Sequence, residues 1–265
     1  MTAEEAQATL GFGSAERILP LGVPALDAAL PQHGLVLGRV IELQVQGPSG
    51  AVTSFASCAC RAAQRANLSE NLPDDGVLQS VVRQGQGERN WCAFIDPSGT
   101  LFAPGLARLG IDLSRLLVVR PNMESVGRAA VRIVEANIAA LVVIDLRGAL
   151  SDLSSDAHAW QRTIRRLSLA LESTATCALL ITRADRRQSL PLPTFLRLQF
   201  TRSSRELFQI RVIKDRTGRS YPPRTICFSV FGSPPDPSAG VGAAHSGDQA
   251  EKEAQNAAPR WREVS

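Results

Sequence analysis

A chain of 265 residues with 44% hydrophobic content is long enough to bury one substantial core with appendages, and short for two large domains. Its formal charge of +4, from 29 basic and 25 acidic residues, is too small to identify a nucleic-acid partner by itself. No apolar stretch reaches the roughly 20 residues that cross a bilayer, so a membrane partner is excluded and a soluble, cytoplasmic protein is expected.

Residues 1–17 are short of large apolar side chains and read as a flexible N-terminus. An apolar segment punctuated by Pro20 and Pro24 comes next (ILPLGVPALDAAL, from Ile18). GRVIELQV, from Gly38, has the pattern of a first strand, and the turn QGPSG leads into a helix from about Ala51 to Ala66. Residues 69–89 mix Pro, Gly and charge and predict a long, mobile surface loop. NWCAFID, from Asn90, reads as a buried strand, Phe102 to Leu109 as a short helix, and LLVVR, from Leu116, as another strand.

Asn122 can cap a helix whose Val126, Ala130, Ile133 and Val134 share a face, ahead of the apolar strand ALVVID, which ends on Asp145. Asp156 can cap the next helix, whose stripe is Trp160, Ile164, Leu167 and Leu171, before a strand from Cys177 to Thr182. Apolar strands alternating with amphipathic helices predict an α/β fold, a mostly parallel sheet covered on both faces. Phe195 to Phe200, Leu207 to Ile213 and Thr225 to Phe231 then read as an antiparallel C-terminal meander. The core is expected over residues 18–232. Residues 233–265, rich in Pro, Gly, Ala and polar side chains, are expected to form a disordered tail, in which Trp261 between Arg260 and Arg262 is either a docking anchor or simply exposed.

The five cysteines (Cys58, Cys60, Cys92, Cys177, Cys227) lack paired metal spacing and a secretory leader ahead of them, and read as buried thiols in a reducing compartment, with no metal site. Only Lys214 and Lys252 of the basic residues are lysines. Eleven basic residues against three acidic ones lie between Arg183 and Arg224, so one end of the molecule is expected to be basic. Arg183, Arg186 and Arg187 are candidate contacts to single-stranded DNA or a partner, which would be salt-sensitive. Arginines on edge strands also prevent edge-to-edge pairing, so both readings stand.

From about Leu19 to Phe231 the sequence resembles the RecA recombinase core, with segments in that family's order. LPLGVPALDAALPQHGLVLGRVIEL is similar to the approach to the family's phosphate-binding loop. NWCAFIDP resembles the strand bearing its catalytic glutamate, RLGIDLSRLLVVRP the segment after that strand and its helix, and ALVVID its Walker B strand. IRVIKDRTGRSYPP resembles the late strand and turn that meets a neighbouring subunit's nucleotide. The resemblance implies a RecA-like fold, and RADRRQSLPLP stands where the family has a DNA-binding loop. It would also place Lys214 and Arg216 at a subunit-type interface, unless they sit on a solvated turn.

The departures fall on the nucleotide site. A P-loop needs glycines, a lysine and a Ser or Thr hydroxyl; here Gly47 and Gly50 remain, but the lysine and hydroxyl positions hold Ala51 and Val52, or, in a shifted register, Thr53 and Ser54 supply the hydroxyl. The catalytic glutamate position holds Ser98, the glutamine-sensor position holds Arg183, and Asp145 remains at the Walker B position, where a structural acceptor role is expected. No catalytic residue, ATP or magnesium is expected. A damaged P-loop in a chain of this size resembles the ImuA group of RecA-related proteins. That resemblance implies a non-catalytic accessory protein of damage-induced translesion synthesis and mutagenesis, with RecA, an ImuB-type polymerase-like protein, an error-prone DNA polymerase and single-stranded DNA as candidate partners. The alternative is a nucleotide-dependent enzyme or switch with an unconventional site recruiting Lys214, Thr53 or Ser54.

Overall fold

The computed structural model describes residues 17–47, 50–66, 90–148, 157–184, 192–204, 206–227 and 229. The expected N-terminal flexible segment to residue 16, the loop over 69–89, the Asp156 cap and the tail lie outside the described residues.

Among the described residues, ten strands and five α-helices succeed one another in this order: β1 (Ile18–Leu19), α1 (Pro24–Asp27), β2 (Leu35–Val36), β3 (Val40–Gln46), α2 (Ala51–Arg65), β4 (Trp91–Ile95), α3 (Ala103–Arg108), β5 (Leu116–Val119), α4 (Val126–Glu135), β6 (Ala139–Asp145), α5 (Ala157–Glu172), β7 (Cys177–Arg183), β8 (Leu196–Arg202), β9 (Leu207–Asp215) and β10 (Arg224–Cys227). Eight of the strands form one sheet in the order β10-β9-β8-β3-β7-β6-β4-β5. β3 to β8 run parallel to one another, and β9 pairs antiparallel with β8 and β10 with β9 at one end. This is the predicted α/β architecture, including the C-terminal meander.

Side chains two apart on a strand share a face, and the two cores obey that period. Leu141 and Val143 of β6 point into the cluster built on α2, with Phe55, Leu179 and Ile181. Val142 and Ile144 point into the opposite cluster, where Val126, Ala130 and Val134 of α4 meet Ile164, Leu167 and Leu171 of α5. The first cluster continues under the meander: Phe55 packs edge-on against Phe200 at 5.2 Å, and Phe200 stacks with Phe208 at 6.2 Å.

On the other face, β3 and its neighbours carry a buried polar group. Glu42 (1% exposed) is paired with Arg197 (8% exposed) through Nε at 2.7 Å. The Thr182 hydroxyl donates to the same carboxylate at 2.9 Å, and the Gln44 amide at 3.3 Å.

The segment from Ile18 folds into an unanticipated clasp. β1 and β2 pair antiparallel, Ile18 opposite Val36, around a turn in which the Asp27 carboxylate accepts the backbone N–H groups of Leu21 and Gly22 at 2.7 and 3.1 Å. Gly34 lies so close to β1 that a Cβ there would stand 2.7 Å from the Leu19 carbonyl oxygen.

Candidate functional site

The C-terminal ends of β4, β6 and β7 and the first turns of α2 enclose a cleft of about 450 Å³, in the crevice where open α/β sheets carry their ligands. Asp96, just past β4, turns the chain: its carboxylate accepts the backbone N–H groups of Thr100 and Leu101 at 3.2 and 2.8 Å, and Gly99 takes the left-handed conformation that the turn requires (φ +66°). The turn presents Ser98 to the cleft. Gly148 faces it so closely that a Cβ there would collide with the Ser98 Oγ. Leu101, Phe102, Leu106 and Leu109 form an apolar wall, while Thr53, Ser57, Asp145, Arg147 and Arg183 supply the polar one.

Asp145 ends β6 and is already engaged. Arg147 donates to it from its backbone N–H (3.0 Å to Oδ1), from Nε (2.9 Å to Oδ1 and 3.1 Å to Oδ2) and from Nη2 (2.5 Å to Oδ2). Both carboxylate oxygens therefore face one guanidinium, the two-pronged geometry in which Arg binds carboxylates most strongly.

Of the residues singled out in the sequence, Ser98, Asp145, Arg183 and Thr53 are brought together here. Ala51 and Val52 are not: both are fully buried in the core. The loop joining β3 to α2 holds two residues between Gly47 and Gly50, where the phosphate-wrapping motif has four. Arg186 and Arg187 lie outside the described residues. Lys214 and Arg216 are far from the cleft. β9 runs antiparallel to β8, so Lys214 stands opposite Arg197 and the Arg216 N–H donates to the Phe195 carbonyl, beside the N-terminal end of β3. The cleft lies toward the other end of that strand, whose seven residues span roughly 20 Å. Among the described residues the basic groups of this stretch are not gathered at one end, as expected, but divided: Arg183 lies at the cleft and Lys214 and Arg216 at the opposite end, because the antiparallel meander folds the chain back.

Lys214 is half-buried, and burial, then the Arg197 guanidinium, hold its ammonium below the ordinary lysine range against the opposing effect of Glu42. Its Nζ donates to the Leu192 carbonyl at 3.4 Å. Arg147, Phe102 and Gly148 were missed by the sequence reading. The usable signal was an arginine two residues beyond a strand-ending aspartate.

No family model matches the chain. It is similar to the RecA proteins of Cutibacterium acnes (27% identical over 176 residues), Streptococcus pyogenes (26% over 178) and Streptococcus uberis (27% over 178). The matches cover 62% of this chain and 44%, 41% and 41% of those proteins, so the chain spans less than half the length of the curated relatives it matches. With the sheet architecture, this relationship gives the chain a RecA-like core.

Proposed function

We propose that this chain is a non-catalytic RecA-like accessory protein of DNA-damage-induced translesion synthesis, of the ImuA kind, acting by binding RecA or an ImuB-type polymerase complex and DNA. The observation that carries the reading is the Arg147 guanidinium on both oxygens of Asp145. A carboxylate serving magnesium must offer an oxygen to the ion; this one is turned onto a cation of the chain's own.

Two further features agree. The loop after β3 is two residues short of the number that cradles phosphates, and one of its residues is Pro48, which has no N–H to donate. Ser98 stands where the resemblance calls for a glutamate, and a hydroxyl does not orient an attacking water as a carboxylate does. The residues at this place do not fit a magnesium–nucleotide complex. The alternative, with Lys214 recruited in place of a P-loop lysine, is opposed by its position at the far end of β3.

The test is genetic and biochemical. Deleting the gene should lower the frequency of mutations induced by DNA damage, and the tagged chain should co-purify with RecA or with a polymerase-like protein from damaged cells. Unchanged induced mutagenesis in the deletion strain, with neither protein recovered, would overturn the proposal.

A further inference from the structure

We infer that the cleft at the ends of β4, β6 and β7 is a metal-independent receptor for an acidic peptide segment of a protein partner, gripping one carboxylate at Arg183 and an adjacent apolar side chain against Phe102. The inference rests on the accessory-protein reading for the nature of the partner, and on the cleft itself for the chemistry.

Charge decides the class of ligand. Asp145 and Arg147 neutralise each other inside the cleft. Arg183, exposed at the end of β7, has no ion-pair partner among the described residues, so the described lining carries one positive charge beyond the Asp145–Arg147 pair. One guanidinium matches one carboxylate through two parallel hydrogen bonds. A polyphosphate would call for more cations than the described lining carries, and the loop after β3 is two residues shorter than the phosphate-wrapping motif.

Shape decides the rest. Phe102 is 70% exposed, a large aromatic side chain left in water at the mouth of the cleft, continuous with Leu101, Leu106 and Leu109 on one wall. Aromatic and arginine side chains are the ones on which interface energy concentrates, and here they line one concavity of about 450 Å³. That holds one or two side chains of a peptide. The Ser98 hydroxyl, held toward the cleft by the Asp96 turn, offers the carboxylate a second donor.

The test uses the full chain, acetyl-Leu-Asp-Phe-amide as probe and acetyl-Leu-Asn-Phe-amide as control, titrated with chelator present and monitored by protein NMR. Saturable, chelator-insensitive binding of the acidic peptide is expected, weakened roughly tenfold or more by Arg183→Gln and by Phe102→Ser, with the Asn peptide binding no better than those variants. Both substitutions are at exposed positions, and an unchanged melting temperature checks that the fold persists. Equal binding of the two peptides, a requirement for magnesium, or displacement by inorganic pyrophosphate through Arg183 would overturn the inference. So would a partner complex formed equally well by wild type and both variants, which leaves the accessory reading standing; no complex with the wild type would sink that reading instead.

Discussion

Asp145 is the last residue of β6 and Arg147 lies two residues beyond it, so the strand's own pattern does not say where the arginine goes. A turn does, because once β6 ends the chain curls so that the arginine reaches back over the carboxylate. The sequence was enough to place Asp145 at a strand's end and to expect an acceptor role for it; its donor could not be read without the turn. The cysteines were more legible. Cys58, Cys60, Cys92 and Cys177 are buried free thiols, as their apolar surroundings predicted, while Cys227 is half-exposed. Burial pushes Cys177 up to about 12 and Cys60 well above the ordinary thiol range, whereas hydrogen bonding to Ser229 lowers Cys227. Since the thiolate is the reactive form, a disulfide reagent near neutral pH should label Cys227 first in the native protein, and Cys227→Ser should abolish that fast phase. A fast phase that survives the substitution would show that a buried thiol is open to solvent.

The helices and most strands of the main sheet were readable because each obeys a local pattern, a 3.6-residue period for α4 and α5, and uninterrupted apolar runs for β6 and β7. The clasp of β1 and β2 escaped because two-residue strands carry no period, and the partners lie on either side of three prolines. The Glu42–Arg197 pair escaped for another reason: its members are 155 positions apart, and only the placement of β8 beside β3 unites them. That pair sets a stability prediction. Removing one partner of a buried ion pair leaves an uncompensated charge and costs about 3–5 kcal/mol, so Glu42→Ala should lower the denaturation midpoint sharply. The double variant Glu42→Gln/Arg197→Met should recover much of the loss. A cost below about 1 kcal/mol for Glu42→Ala, the range of exposed pairs, would mean that water reaches the pair.

At the scale of the molecule, the order of segments along the chain points to a RecA-like core, and the parallel sheet and the RecA relatives agree with it. The distribution of charge was not legible, because a run of basic residues in sequence says nothing of where an antiparallel meander will fold them. Arg183 stands at the cleft, Lys214 and Arg216 roughly a strand's length away, so the two groups address different surfaces. The cleft is where a nucleotide would have to act, and the most direct measurement is the melting temperature of the purified protein with magnesium and ATP, alongside phosphate release, with and without single-stranded DNA. A ligand at a hundred times its dissociation constant stabilises a folded protein by about 2.7 kcal/mol, which for a core of this size is a rise of roughly 5–10 °C. With Arg147 on Asp145 and a shortened loop, no rise and no phosphate release are predicted; a rise of that size, or turnover, would contradict the reading of this protein as a RecA-like core without a nucleotide site.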